Sequence, residues 1–125
     1  MDLDVSGFTP PQQQALFDLL ILAMYADGHL TTFEDEHLQS LLKSMGFTEE
    51  GPRQREFDAA VTRMRPHVQS IQTARMQAVA LAEVFTSRDQ HKLVYAAVEE
   101  IINSDSHVTS WESALLYELR SRFRL

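Results

Sequence analysis

An acid, a histidine and a second acid recur at the same spacing in two stretches of this 125-residue chain. The stretch that begins at Asp27 reads DGHLTTFEDEHLQSLL, and the stretch that begins at Asp105 reads DSHVTSWESALLYELR. Carboxylate oxygens and imidazole nitrogens are ligands for divalent cations, so both stretches are candidates for metal chemistry. The polar residues that are identical in the two copies are Asp27/Asp105, His29/His107, Thr31/Thr109 and Glu34/Glu112.

The first stretch matches the second half of an EF-hand calcium loop. In that comparison Asp27 is the acid, His29 supplies its backbone carbonyl, and Glu34 closes the loop seven positions after the acid. The first half of the loop is missing, because Ala23 and Tyr25 stand where two carboxylates belong. A half loop offers few oxygen ligands, so one ion would need further ligands from water or from the second stretch.

The paired histidines offer a second kind of metal site. If the imidazoles rather than the backbone carbonyls face inward, the two copies supply six ligands for a borderline metal or for two metals. The predicted cofactor is therefore a divalent ion whose identity the sequence does not give. The candidate ligands are Asp27, His29, Glu34, Asp105, His107 and Glu112.

The same residues also fit helix caps that need no metal. Thr31 and Thr109 each precede a Glu by three positions, which is the spacing of a capping box. In such a box the Thr side chain caps the helix and the Glu reaches back to the N–H of the cap. Asp27 followed by Gly28 is typical of a helix end.

Helical periodicity predicts that each stretch connects two helices. We predict an all-α fold: a compact single domain over residues 1–125, with about six to seven helices and a duplicated helix hairpin. Helices 1–2 and helices 5–6 are the two copies and bear the acidic loops. Thr9 is the expected N-cap of helix 1, and Gly46 is the expected C-terminal cap of helix 2. The expected helices are 10–26, 32–45, 52–65, 68–86, 89–104 and 110–122.

Composition limits the function classes. Apolar residues make up 44% of the chain, which predicts a folded domain. The net charge of −7 argues against nucleic acid as a partner, because binding phosphates requires a basic face. The chain has no Cys, so thiolate metal sites are excluded. No apolar run is long enough for a membrane span and no signal peptide is evident, so we expect a cytoplasmic protein.

Three other groups of residues have simple interpretations. An arginine-rich segment alternates with acids, which is typical of a solvated helix face with ion pairs. Its members are Arg53, Arg55, Arg63 and Arg65. Histidines outside the repeat are expected to be ordinary surface residues: His37, His67 and His91. Aromatic residues at helix ends are candidates for a protein-docking face: Tyr25, Phe47 and Phe123.

The helix that ends in AMYADGHLTTFEDEHL, together with INSDSHVTSWES in the second hairpin, resembles the TerB-like tellurite-resistance family. The resemblance covers nearly the whole chain. It implies a compact all-helical domain with duplicated acidic hairpins, a role in bacterial tellurite resistance or stress response, and metal binding at the acids. Those acids are Asp27, Glu34, Asp105 and Glu112 here. The second copy differs in having Ser106 where the first has Gly28.

Two functional hypotheses follow. The leading one is a non-enzymatic domain that binds a divalent cation. The alternative is a metal-free protein-interaction scaffold, with an unidentified protein partner, in which the acidic motifs are helix caps. A metal-dependent hydrolase is disfavoured, because the chain lacks HExxH and a glycine-rich phosphate loop. The oligomeric state is open.

Overall fold

Six α-helices and one 3-10 helix form the regular structure of the described residues. The computed structural model describes residues 5–27, 36–103 and 110–125, and the side chains of 5–24, 38–103 and 110–125. No strand occurs among these residues, so the predicted all-α class is confirmed. The helices are α1 (Pro10–Asp27), α2 (Glu36–Ser44), α3 (Glu50–Met64), α4 (Ile71–Ala82), α5 (Arg88–Asn103) and α6 (Ser110–Phe123), and the 3-10 helix is Arg65–His67.

Helix α1 is the centre of the bundle. It packs against each of the other five α-helices. Every side chain from Ala15 to Met24 is buried, including the carboxylate-bearing Asp18. A helix that is apolar on all sides must be surrounded, because leaving any face in water would lose hydrophobic stabilisation. Within the described part of the chain, no helix has the length and apolarity needed to cross a membrane.

The fourth helix is shorter than the periodicity predicts. The apolar spacing predicts 68–86, and the helix runs from Ile71 to Ala82. Its start is set by Ser70, whose hydroxyl accepts the Thr73 N–H (3.1 Å) while the Thr73 hydroxyl accepts the Ser70 N–H (3.2 Å). At its other end the N–H groups of Val84 and Phe85 bond carbonyls three positions back, so the chain tightens and leaves the helix.

The two predicted hairpin copies begin with the same cap. Thr9 accepts the Gln12 N–H (3.3 Å) and donates its own N–H to the Gln12 side-chain oxygen (2.9 Å). In the second copy Ser87 accepts the Gln90 N–H (3.1 Å) and donates to the Gln90 side-chain oxygen (3.4 Å). Thr9 and Ser87, like Gln12 and Gln90, are separated by the same offset as Asp27 and Asp105 (87 − 9 = 90 − 12 = 105 − 27). The repeat therefore extends upstream to the starts of α1 and α5.

The two copies also end with the same cap. The N–H groups of Gly46 and Phe47 donate to the carbonyls of Lys43 (3.0 Å) and Leu42 (2.9 Å), which is a Schellman motif. At the equivalent positions of the second copy the same pattern joins Arg124 to Ser121 (3.2 Å) and Leu125 to Arg120 (3.1 Å). Gly46 and Arg124 both have positive φ, +103° and +56°. The two hairpins therefore match in their caps at both ends, at positions 9 and 47 in the first copy and at 87 and 125 in the second.

The copies differ in how much of the first helix is buried. Ile21 and Leu22 of α1 are buried, whereas the equivalent Glu99 and Glu100 of α5 are exposed. Helix α3 packs against α1 and places Arg63 on Asp18, so the extra apolar face of α1 has a partner. The α3–α4 segment between the hairpins is what breaks the internal symmetry.

Candidate metal centre

Most of the predicted ligands lie outside the described residues. Asp27 is the last residue of α1, and its side chain is not among those described. His29 and Glu34 fall in 28–35, and Asp105 and His107 fall in 104–109. Their roles as ligands therefore stay predictions. Among the described residues, no group of three or more His, Asp or Glu is arranged to hold a metal ion.

Glu112 is the one predicted ligand whose side chain is described. It is the third residue of α6, and its exposure is 0%. Withdrawing a carboxylate from water costs several kcal/mol unless N–H donors or a cation compensate it. A glutamate that only caps a helix can stay at the protein surface. The burial of Glu112 therefore places a carboxylate inside the core at the start of α6.

The helices that lead into the two acidic stretches start side by side. The Gln12 amide donates to the Gln90 side-chain oxygen (3.4 Å), and the Gln90 amide donates to that of Gln12 (3.1 Å). This exchange joins equivalent residues of the two copies, as an internal two-fold axis requires. Because α1 and α5 also pack against each other, they run in the same direction.

The acids follow at equal distance from this starting pair. The separation of Asp27 from Gln12 along the chain equals that of Asp105 from Gln90 (27 − 12 = 105 − 90). At 1.5 Å per residue, α1 carries Asp27 about 22 Å from the glutamine pair, and α5 runs parallel to it as far as Asn103. Both helices therefore end on the same side of the bundle.

The return helix of the second copy supports this geometry. The His91 ring, near the start of α5, stacks on Phe123 at the end of α6, with 4.3 Å between ring centroids. Helix α6 is therefore antiparallel to α5, and its first turn, with Glu112, lies at the end where α5 stops. The glutamine pair and Glu112 occupy opposite ends of the bundle.

His91 and Phe123 differ from their predicted roles. His91 is half-buried, and its Nε2 lies 2.8 Å from the Phe85 carbonyl oxygen, so it is not an ordinary surface histidine. Phe123 is buried and Phe47 packs partly buried against the core, so neither offers a docking face. The side chain of Tyr25 lies outside the described residues.

A half-buried ion pair joins α1 to α3, and the sequence pattern did not predict it. The Arg63 guanidinium donates to both Asp18 oxygens, from Nη2 (2.9 Å) and Nε (3.3 Å), and Glu56 lies 3.5 Å from Arg63. Burial raises the pKa of Asp18 above its usual range, and the bonded Arg63 opposes that rise. The signal available in the sequence was a single acid, Asp18, inside the apolar run of helix 1.

The arginine-rich segment is only partly a solvated face. Arg53 is buried, and its guanidinium donates to the carbonyls of Thr48 (2.6 Å) and Phe47 (3.5 Å), which ties the α2–α3 connection to α3. Arg55 and Arg65 are exposed, as predicted. Two of the four arginines therefore hold the fold together, and no phosphate site is needed to explain them.

Comparisons of the chain with protein-family models, with curated proteins and with solved structures find no match. The TerB-like resemblance therefore stays a prediction from the two acidic motifs.

Proposed function

We propose that this protein is a non-enzymatic, divalent-metal-binding domain of the TerB-like class that acts in the cytoplasm in tellurite resistance or stress response. The acids and histidines of the two hairpin loops supply its ligands. With no Cys in the chain, oxygen and imidazole donors are what the site can use. Tellurium chemistry at a thiol has no residue to support it, so a role in resistance works through metal binding and a protein partner.

The complete burial of Glu112 is the observation that carries this proposal. Its carboxylate lies at the end of the bundle where α5 stops, and α1 ends on the same side with Asp27. A divalent cation bound by the adjoining stretches would compensate such a carboxylate, because opposite charge at low dielectric is strongly attractive. The two-fold relation between the hairpins supports equivalent contributions from both.

A thermal melt tests the proposal. Metal-stripped protein is melted alone and with Ca²⁺, Mg²⁺, Mn²⁺ or Zn²⁺. An ion present at a hundred times its Kd adds about 2.7 kcal/mol, which raises the Tm of a domain of this size by roughly 10 °C. The shift should vanish in Asp27→Asn/Asp105→Asn. The charge-matched control Glu83→Gln/Glu99→Gln changes two exposed acids elsewhere and should keep the shift.

The metal-free scaffold is supported by a different observation. Glu112 is the third residue of α6, and the third residues of α1 and α5 are Gln12 and Gln90, which both act in capping boxes. Glu112→Gln separates the two functions, because Gln can cap a helix but brings no charge to a metal. Stability that is unchanged by the substitution and by every ion would favour the scaffold. An ion-specific shift that Glu112→Gln removes would favour the metal site.

A further inference from the structure

A groove runs along the α4–α6 pair. Its volume is about 580 Å³. Helix α4 supplies most of its lining and α6 supplies the rest. The lining residues are Ile71, Gln72, Arg75, Met76, Val79, Glu118 and Arg122, and we call this surface the α4–α6 groove.

The groove contains unusual apolar exposure. Met76 is 65% exposed. It is one of two exposed large hydrophobic side chains among the described residues; the other, Tyr117, lies on a different face of α6. Half-buried Ile71 and Val79 continue the apolar strip along α4. Exposed apolar surface bordered by polar groups is typical of a binding surface, and methionine adapts to varied partners.

The groove is basic although the protein is acidic. Its lining carries Arg75, Arg122 and Glu118, a local charge of +1 in a chain whose net charge is −7. Arg75 pairs with Glu118 (3.0 Å) across the groove, whereas Arg122 is exposed and forms no ion pair with a described residue. Charge complementarity therefore selects an acidic partner.

The groove's length and walls favour a helical partner. Lining residues on α4 run from Ile71 to Val79, two helical turns or about 12 Å. Its walls are two helices, and the described residues contain no strand edge that an extended peptide could join. An amphipathic helix that presents apolar residues at every third or fourth position suits this shape.

We propose that the α4–α6 groove docks an acidic amphipathic helix of a partner protein. Apolar residues of that helix contact Ile71, Met76 and Val79, and its carboxylates pair with Arg122 and Arg75. The proposal is independent of metal binding, since none of the groove residues is a candidate metal ligand.

A titration with two matched peptides tests it. The acidic probe is a capped peptide of about 20 residues with Leu at every third or fourth position and Glu and Ala elsewhere; the second peptide has Lys in place of Glu. The full chain carries ¹³C-methyl methionine. We expect the acidic peptide to shift the Met76 methyl signal saturably and to leave buried Met24 and Met64 unchanged. Arg122→Glu should weaken binding at least about tenfold.

Lys92→Glu is the matched control, because Lys92 is exposed on α5 and the change in net charge is the same. It should retain nearly all of the affinity, while circular dichroism confirms that every variant folds. The proposal is overturned if the Met76 signal does not move, if the basic peptide binds equally well, or if both charge reversals weaken binding alike. Self-association that Met76→Glu abolishes, measured by sedimentation, would also overturn it and assign the groove to a second copy of the chain.

Discussion

Removing Arg63 should destabilise the protein more than neutralising the acid it binds. Arg63→Met leaves the Asp18 carboxylate buried without its cation, whereas Asp18→Asn leaves an amide oxygen that still accepts a hydrogen bond from Arg63. The two side chains are buried to different extents: Asp18 has 5% of its side chain exposed, and Arg63 has 32%. The arginine can regain water when its partner changes, and the carboxylate cannot.

The expected cost lies between those of exposed and buried pairs. Exposed ion pairs contribute about 0–1 kcal/mol, and breaking a fully buried pair costs about 3–5 kcal/mol. For this half-buried pair we expect about 2–3 kcal/mol for Arg63→Met and about 1 kcal/mol for Asp18→Asn. In the double variant no charge remains buried, so adding Asp18→Asn to Arg63→Met should restore about 1 kcal/mol.

The pH dependence follows from the raised pKa of Asp18. Because the folded pKa exceeds the unfolded value of about 3.9, protonation of Asp18 stabilises the fold. That contribution is fully present below the unfolded pKa and is lost as the pH rises through the folded pKa. Arg63→Met removes the groups that lower this pKa and raises it further. The loss in free energy of unfolding caused by Arg63→Met should therefore be small near pH 4 and grow toward pH 7.

Urea unfolding followed by circular dichroism measures these quantities. With an m-value of about 2 kcal/mol/M, a loss of about 2–3 kcal/mol lowers the midpoint by roughly 1–1.5 M. Arg55→Met is the control, since Arg55 is exposed on the same helix and should cost little. A cost of Arg63→Met below about 0.5 kcal/mol, the range of ordinary surface substitutions, would refute this account of the pair. The account would also be refuted if Asp18→Asn destabilised the unmodified protein and the Arg63→Met variant equally.

The repeated caps give two further predictions. Gly46→Ala places a Cβ at φ +103° and should lower the free energy of unfolding by about 1 kcal/mol. Arg124→Gly removes a Cβ from a residue with positive φ and should raise the free energy of unfolding by about 0.5 kcal/mol. Thermal unfolding measures both, and a destabilising Arg124→Gly would contradict this. A double-mutant cycle of Gln12→Ala and Gln90→Ala should give a coupling energy of about 0.5–1.5 kcal/mol, because each amide bonds the other; strictly additive losses would show that the reciprocal bond contributes nothing.

Local signals predict much of the helical structure. Thr9 before Pro10 and Gly46 after an apolar stripe are start and stop signals whose chemistry acts within one turn, and the structure has both. The predicted fourth helix is too long because Val68 and Phe85 fit the apolar period although both lie outside α4. Periodicity reports which residues face the core and says less about where a helix stops.

Contacts between distant residues are not predictable in the same way. Arg53 and Arg63 are similar in the sequence to their exposed neighbour Arg55, and only the packing of α3 decides which of them is buried. The internal repeat is visible in the acidic stretches, yet its extension to Gln12 and Gln90 needed the hydrogen bonds, because isolated glutamines are common in first turns. Of the six candidate ligands, Glu112 is the one whose side chain is described, so the ligand set remains a prediction.

The central position of α1 has a consequence for how the molecule opens. Because α1 packs against every other α-helix, no subset of the bundle can detach without uncovering part of its apolar surface. The backbone amides from Ala15 to Met24 should therefore exchange with deuterium only through global unfolding and be the slowest in the protein. Any fragment that retains α1 without its neighbours carries an apolar helix with no covered side, and such a fragment is prone to aggregate.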